Sequence, residues 1–283
     1  MNAPLRPHPL ESGNPPAWAQ SWGQDRYGVW AGFVIEGIES RLRWIPPGAF
    51  MMGSPEDEAG RFDNEGPQHR VILPEGFWLG EVPVTQSLWA VVMGNNPSHF
   101  KSPTRPVERV NWNDVQKFLA KINEMKPGLA LGLPREAQWE YACRAGTTTA
   151  TYAGDLTILT DGVAPELDLV AWYAGNFEVD FELKDAWMSL SGQHGGTHPV
   201  GQKLANPWGL YDMLGNVGEW CRDEPRDYQA RPDTGRVEGF EVTRAVRGGS
   251  WVNDARCLRV AYRRAYGPDI GRDYLGFRLY RGQ

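Results

Sequence analysis

The side chains that could do chemistry are few and lie far apart in this sequence. Its cysteines are Cys143, Cys221 and Cys257. Because their number is odd and no CxxC spacing occurs, the sequence argues against a disulfide framework and a thiolate zinc site. His194 and His198 are four residues apart, but in a glycine-rich stretch rather than a helical one, so we interpret them as structural residues. Since Ser250 has no histidine or carboxylate that the sequence places beside it, we predict no catalytic residue.

Composition limits the classes of protein to which the chain can belong. Its 283 residues are 41% hydrophobic, which is enough to bury a large core. The net charge of −6 provides no global positive field for a phosphate backbone. No apolar run approaches the length of a membrane span, and the first residues lack the apolar region of a signal peptide. These features predict a cytoplasmic protein with neither a nucleic-acid nor a membrane partner.

The first part of the chain contains a predicted tail, a hairpin and an acidic loop. Residues 1–17 are rich in proline and are expected to form a disordered tail. A strand, turn and strand pattern over residues 27–35 and 41–45 predicts an N-terminal hairpin within residues 18–45. The acidic residues 54–67 show no helical period, so we interpret them as a solvated loop.

Capping signals and periodicity predict three helices. The first covers residues 86–93, with Thr85 as its N-cap and Gly94 where a left-handed C-cap belongs. The second covers residues 111–125 and has one apolar face. The third follows Pro134 and ends at Gly146. Because no longer helical pattern follows and the chain has 13 tryptophans, we expect a loop-rich fold held by buried aromatic residues.

The C-terminal tail, residues 244–281, combines two kinds of pattern. Apolar residues alternate over 258–262 and 275–280, which predicts two half-buried strands. Residues 252–257 and 263–274 have no period and mix tyrosine and arginine with polar residues. Such a composition is typical of a recognition surface, and solvated polar loops are the alternative.

Short motifs run through the chain in a fixed order. They read WIPPG at 44–48, MGS at 52–54, EVPVT at 81–85, LP at 133–134, WEYA at 139–142, THPVG at 197–201, NPWGLYDM at 206–213, GNVGEW at 215–220, RGGSW at 247–251 and LGFR at 275–278. In these motifs the chain resembles the formylglycine-generating enzyme (sulfatase-modifying factor) family. The resemblance implies an α+β, C-type-lectin-like fold with a small twisted antiparallel sheet, two to three helices and long ordered loops, in a single domain over residues 18–283.

The chain departs from the catalytic members of that family. The oxidases hold copper through two cysteines after the GGS motif, and soft thiolates are the ligands that Cu(I) prefers. This chain has Cys257 alone in that segment. Gly218 stands where the family usually has a tryptophan that lines the active cleft. We therefore expect no copper, and the alternative is a metal-dependent oxidase or sulfoxide synthase with another site near Cys257.

The family also carries calcium in a loop that this chain retains. Asp212, Gly215, Val217 and Glu219 match the ligand positions. Two carboxylates and two backbone carbonyls are a set of oxygen ligands that Ca²⁺ accepts. The resemblance thus implies a calcium site, and the alternative is a turn in which Asn216 and Glu219 hydrogen-bond backbone groups.

The non-enzymatic branch of the family contains the variable proteins of diversity-generating retroelements, whose C-terminal segment is the ligand-binding surface. Adenine-directed mutation of asparagine codons ending in C cannot produce Lys, Glu, Gln, Met or Trp, and none of these five occurs in residues 252–274. Residues 18–33 also resemble the start of such proteins. The predicted variable face, within a variable region of about residues 247–281, consists of Val252, Asn253, Asp254, Cys257, Arg264, Tyr266, Gly267, Ile270, Arg272, Asp273 and Tyr274.

We interpret the chain as a binding protein that presents this variable face to a protein ligand. An enzyme of the same family is the first alternative, and an accessory domain without a variable face is the second. The interpretation predicts a buried framework between the variable positions, formed by Leu258, Val260, Leu275, Phe277 and Leu279.

Overall fold

The computed structural model describes residues 15–177, 195–228 and 242–283. Residues 1–14 of the predicted tail and His194 lie outside these ranges. The described residues contain three α-helices: α1 Gln86–Met93, α2 Trp112–Met125 and α3 Glu136–Arg144. In the described parts of the chain, no helix is both long and apolar enough to cross a bilayer.

The helices begin and end where the local signals predict. The Thr85 hydroxyl accepts a backbone N–H at the start of α1, and Gly94 ends that helix with a φ of 78°. The Asn111 side chain caps α2 in the same way. Helix α3 ends at Arg144, and its C-cap Ala145 takes the left-handed conformation one residue before the predicted Gly146. The prediction of three helices is confirmed.

The main sheet contains the N-terminal hairpin and the end of the tail. Its strands are β1 Ser21–Asp25, β2 Gly28–Ile35, β3 Ile38–Ile45, β6 Phe77–Gly80, β7 Leu131–Gly132 and β12 Tyr280–Arg281. They lie in the order β1-β2-β3-β6-β12-β7 and pair antiparallel. The predicted hairpin is confirmed as β2 and β3, with Ile35 opposite Ile38.

Two smaller sheets complete the described structure. One pairs β4 Gly48–Met52 with β5 His69–Leu73. The strands of the other are β8 Gly218–Trp220, β9 Arg244–Arg247, β10 Arg263–Tyr266 and β11 Leu275–Gly276. Their order is β10-β9-β8-β11, in which only the β11 and β8 pair is parallel. This four-stranded sheet holds the tail, with β10 at one edge.

The tail does not form the two strands that its apolar alternation predicts. Residues 258–262 form no strand, only the ends of 275–280 pair, and the aperiodic residues 263–266 form β10 instead. Leu258 and Val260 are fully buried, but so is Arg259, the polar member of the alternation. The alternation therefore does not mark the two faces of a strand here, because an ion pair allows the polar residue to be buried as well.

Aromatic side chains fix the end of the tail against the helices. Trp89 of α1 stacks on Phe118 of α2 with ring centroids 5.2 Å apart, and Phe277 packs edge-on against Phe118 at 5.3 Å. Leu275 and Leu279 are buried in the same apolar cluster. The predicted burial of the tail framework is confirmed.

Candidate ligand-binding surface

The eleven residues of the variable face all lie at the surface. Val252, Asp254, Arg264 and Arg272 are exposed, and the other seven are half-buried. By contrast, the exposed fractions of the framework residues Leu258 and Leu275 are 0% and 1%. A single stretch of chain thus carries a buried framework and a displayed set of side chains.

Main-chain hydrogen bonds to the rest of the domain hold the backbone under this surface. A backbone carbonyl is present in every residue, so such bonds persist whichever side chain is attached. The main-chain pairs are Asn253 O with Ala174 N (2.9 Å), Arg272 O with Arg109 N (2.9 Å) and Tyr274 O with Gly218 N (2.8 Å). In addition, the Asp273 carbonyl accepts from the side-chain Nε1 of Trp251 (3.1 Å). The loops are therefore ordered by groups that substitution of the displayed side chains leaves in place.

Trp251 joins the two halves of the variable region and was not among the predicted site residues. Its indole N–H donates to the Asp273 carbonyl, and its ring packs edge-on against Phe100 at 5.3 Å. Only 8% of the residue is exposed. The sequence does contain a signal for this role: a large aromatic residue stands directly before the first variable position. Such a residue can be buried beneath an exposed loop.

Two residues of the variable face also stabilise their own loop. The Ser250 hydroxyl donates to Asn253 Oδ1 at 2.7 Å. Asp254 caps a 3-10 turn over residues 255–257, because its carboxylate accepts the backbone N–H of Arg256 at 3.0 Å. At these two positions a substitution changes local structure as well as the chemistry of the surface.

Glycines allow close approach of the backbone beneath the variable region. Gly249 has a φ of 64°, and a Cβ there would overlap the carbonyl oxygen of Cys257. At Gly218, a Cβ would lie 2.9 Å from Val246 Cγ1 and 3.4 Å from Leu275 Cδ2. The tryptophan that the catalytic relatives usually carry at this position would therefore have to displace neighbouring side chains.

Arg264, Tyr266 and Tyr274 form one contiguous patch within the variable face. The rings of Tyr266 and Tyr274 lie 6.4 Å apart, and Tyr266 also packs on the buried Trp220 at 6.3 Å. The pKa of Arg264 is raised by its proximity to Tyr262 and then Tyr266. Burial raises the pKa of Tyr274 to about 12. Tyr274 consequently offers a hydroxyl donor throughout the neutral pH range.

Glutamates neutralise four arginines of the tail that lie inside the domain. The pairs are Arg247 with Glu140, Arg259 with Glu58 and Glu65, Arg263 with Glu136, and Arg278 with Glu219. None of these arginines is more than 4% exposed. The interpretation of residues 54–67 as a solvated loop holds for the exposed residues Glu56, Asp57 and Asp63. It is wrong for Glu65, which is fully buried and accepts hydrogen bonds from Arg259. The arginines of the tail thus divide into a buried framework set and a displayed set.

Protein groups already bind both carboxylates of the implied calcium site. Glu219 accepts from the Arg278 guanidinium through both oxygens at 2.7–3.1 Å, and its Oε2 also accepts from Trp139 Nε1 at 2.6 Å. Asp212 Oδ2 accepts from the Gly201 N–H at 2.7 Å, and burial raises the pKa of Asp212. Within the described ranges, no group of three or more His, Cys, Asp and Glu side chains is arranged to hold a metal.

This arrangement does not fit calcium as it stands. A carboxylate has about four lone-pair positions, and the contacts of Glu219 with Arg278 and Trp139 use them. A calcium ion would have to displace the guanidinium from Glu219. Calcium at Asp212, Gly215, Val217 and Glu219 therefore stays a prediction from the resemblance, without support from the geometry of the loop.

The cysteine thiols are protected from ionisation. Burial raises the pKa of Cys257, which is half-buried, and it likewise raises the pKa values of Cys143 and Cys221. The thiolate is the form that attacks electrophiles and binds soft metals. Burial thus disfavours the thiolate form of Cys257.

We expect Cys257→Ser to leave the protein almost unchanged. Its free energy of unfolding should stay within about 1 kcal/mol of wild type, because the thiol is only half-buried. Wild-type protein incubated with copper, oxygen and a cysteine-containing peptide should release no oxidised peptide detectable by mass spectrometry. Turnover that disappears in Cys257→Ser would instead favour the enzyme alternative.

Together, the helices, the antiparallel main sheet and the long ordered loops define a C-type-lectin-like α+β domain whose tail combines buried and displayed residues. The chain belongs to the sulfatase-modifying factor enzyme 1-like domain family, whose profile matches residues 39–283.

Similar proteins in this family carry different names. The chain is 32% identical over 239 residues to the chaperone protein LppX of Paenibacillus barcinonensis, covering 69% of this chain and 78% of the relative. It is 31% identical over 236 residues to the formylglycine-generating enzyme of Streptomyces coelicolor, covering 78% of this chain and 69% of that enzyme. Among solved structures, Treponema denticola variable protein 1 has a TM-score of 0.70 at 27% identity, over 90% of this chain and 99% of that chain.

Proposed function

We propose that this chain is a ligand-binding protein of the variable-protein type, in which a diversity-generating retroelement diversifies the eleven residues of the variable face. The observation that carries the proposal is the separation within the tail: the predicted variable positions are exposed or half-buried, while the predicted framework residues Leu258, Val260, Leu275, Phe277 and Leu279 are buried. A segment selected to change its side chains without unfolding needs that separation. The proposed partner is a protein, and neither nucleic acid nor membrane is part of the proposal.

Two further observations support this function. The main-chain anchors of the loops, such as the bond from Arg109 N to the Arg272 carbonyl, do not depend on the variable side chains. In addition, the likeness to Treponema denticola variable protein 1 extends over 90% of the chain. The cytoplasmic location predicted from the sequence belongs to the same proposal and is checked by cell fractionation.

An oxidase of the formylglycine-generating type is the second candidate, and the identity to the Streptomyces coelicolor enzyme favours it. Against it stand the single cysteine of the tail, the raised pKa of that thiol, and Gly218 in place of the family's tryptophan.

The experiment that tests the proposed function is sequencing of the locus around the gene. We expect a reverse transcriptase gene and a non-coding repeat nearly identical to the DNA that encodes residues 247–281. The two copies should differ at adenines of the repeat, in the codons of the variable face. A locus without a repeat or reverse transcriptase would refute diversification.

Replacement of displayed residues should hardly affect stability. For the triple variant Val252→Ser, Arg264→Ser, Arg272→Ser, we expect a loss of less than about 1 kcal/mol in the free energy of unfolding, because all three side chains are exposed. Leu258→Ala in the same segment is the control and should cost about 2–5 kcal/mol, because that side chain is fully buried. Urea unfolding measures both. Similar losses in the two proteins would contradict the separation of face and framework.

A further inference from the structure

A cavity lined by tryptophans lies against the main sheet, outside the variable face. Its volume is about 450 Å³, and its walls include Trp18, Trp44, Trp78, Pro127 and Arg281. None of the eleven residues of the variable face lines it. Pockets that bind small molecules have volumes of roughly 300–1,000 Å³ and apolar or aromatic linings with a few polar groups. In size and lining, this cavity is of that kind.

The register of the main sheet brings three of these side chains together. Trp44 of β3 lies opposite Trp78 of β6, and Arg281 of β12 lies opposite Trp78 on its other side. Residues directly opposite each other in antiparallel strands share one face of the sheet. Trp18 precedes β1 and completes the group, because its ring lies 5.5 Å from that of Trp78 and 5.1 Å from Arg281 Cζ. Paired strands thus fix most of the cavity wall.

Arg281 is a cation of this wall that no anion of the protein neutralises. Its side chain is half-buried, and the guanidinium donates to the carbonyls of Gly128 and Gly282. Burial lowers the pKa of Arg281, and no carboxylate within the described ranges opposes that effect. The four buried arginines of the tail, by contrast, each pair with a glutamate. Because a charge withdrawn from water is costly unless it is paired, this guanidinium would gain from an external anion.

The walls and the charge together limit the chemistry of a ligand. Indole rings pack favourably against other aromatic rings, and a guanidinium binds a carboxylate through two parallel N–H···O bonds. Aromatic cages also bind ammonium ions, but Arg281 would repel such a ligand. A small inorganic anion would leave the indole surface unused. The cavity therefore favours a molecule that combines an aromatic ring with a carboxylate.

We propose that the cavity between Trp18, Trp44, Trp78 and Arg281 is a further binding site, which takes a small aromatic carboxylate. The carboxylate pairs with the guanidinium of Arg281. The aromatic ring packs mainly against Trp44, which is half-buried, whereas Trp18 and Trp78 are 6% and 2% exposed. The site is separate from the proposed function, because it uses no residue of the variable face.

The test measures binding of small probes to the full chain by equilibrium dialysis. The first probe is naphthalene-2-carboxylate. Its matched partners are naphthalene-2-carboxamide, which keeps the rings without the charge, 2-naphthylmethylammonium, which reverses the charge, and acetate, which lacks the rings. We expect naphthalene-2-carboxylate to bind at one site per chain, at least about tenfold more tightly than each partner. Its affinity should fall as salt rises.

Substitutions in the protein localise the site. Arg281→Gln should weaken the binding of naphthalene-2-carboxylate by at least about tenfold, and Arg281→Lys should weaken it less, because lysine keeps the charge without the planar fork. Trp44→Leu should also weaken binding, since it removes the most exposed ring of the wall. Arg70→Gln is the matched control, because Arg70 is exposed on β5 and its loss removes the same charge. Binding to that control should equal wild type.

Several results would overturn the inference, and those from the probe series require no substitution. Equal binding of the carboxamide would remove the role of Arg281, and equal weakening by Arg70→Gln would reduce the effect to net charge. Tighter binding of 2-naphthylmethylammonium would make the cavity an aromatic cage, and tighter binding of octaproline would make it a groove for proline-rich peptides. No retention of naphthalene-2-carboxylate at millimolar concentration would refute the site.

Discussion

Replacement of Arg259 by methionine is expected to lower the free energy of unfolding by about 3–5 kcal/mol, because it leaves buried carboxylates without a counter-charge. The guanidinium donates to Glu58 Oε1 and Glu65 Oε2 at 2.6 Å each, and its Nη2 also donates to Glu65 Oε1. Arg259 and Glu65 are both fully buried. Urea unfolding at neutral pH should show the loss as a lower midpoint with a similar slope.

The control for this prediction lies three residues earlier in the chain. Arg256 is exposed and packs over the ring of Phe62, so Arg256→Met removes the same charge without leaving a buried carboxylate unpaired. Its loss should stay below about 1 kcal/mol. If both variants lost the same stability, the pairing of Arg259 with the acidic loop would not be what holds the tail in place.

A second variant separates the ion pair from the packing of the side chain. Glu65→Gln keeps the shape of the side chain and removes its charge, so it should also destabilise the protein strongly. Changing Arg259 to methionine together with Glu58 and Glu65 to leucine removes all three charges. Because well-packed apolar residues often replace a buried ion cluster without loss, this triple variant should recover much of the stability that Arg259→Met loses.

Elements set by neighbouring residues could be predicted from the sequence. The helices follow from caps such as Thr85 and Asn111 and from apolar periodicity, and the β2 and β3 hairpin follows from alternation around a tight turn. All of these signals act over a few residues. The burial of Leu275, Phe277 and Leu279 could be predicted for the same reason.

Features set by distant residues could not be predicted in this way. Arg259 and Arg264 are five residues apart and chemically identical, yet one is buried and the other exposed. The difference comes from Glu58 and Glu65, which lie 201 and 194 residues from Arg259 in the chain. A charged loop without helical period gives no sign that its glutamates will be buried, because burial depends on the partner that the fold supplies.

The candidate site was identified largely from the order of motifs and from the residue types absent between positions 252 and 274. The structure adds what a sequence pattern does not contain: the role of Trp251 beneath the loops, the capping by Asp254 and the edge position of β10. Each depends on contacts between segments far apart in the chain or on the path of an irregular loop. Neither a contact between distant segments nor the path of an irregular loop produces a periodic pattern of residues in the sequence.

Glu219→Gln should destabilise the protein by about 3–5 kcal/mol whether or not calcium is present, because it leaves the Arg278 guanidinium buried without a carboxylate. Glu219 and Arg278 are 1% and 0% exposed, and their oxygen and nitrogen atoms approach to 2.7 Å. The remaining Arg278 contacts, to the carbonyls of Gly80, Glu81 and Tyr211, are neutral and do not replace the lost charge. Urea unfolding in calcium and in chelator measures the loss under both conditions.

The same measurement distinguishes an ion pair from a calcium site. Calcium at about one hundred times its dissociation constant would add about 2.7 kcal/mol to a folded state that binds it. Since Arg278 and Trp139 already occupy Glu219, we expect wild-type unfolding curves in calcium and in chelator to coincide. Asp212→Asn is the control, because it removes the other carboxylate of the implied site without unpairing Arg278. The contrary result would be an unfolding midpoint that depends on calcium in wild type but not in Asp212→Asn. It would show that the ion displaces Arg278 from Glu219 and that the calcium site implied by the family resemblance is present.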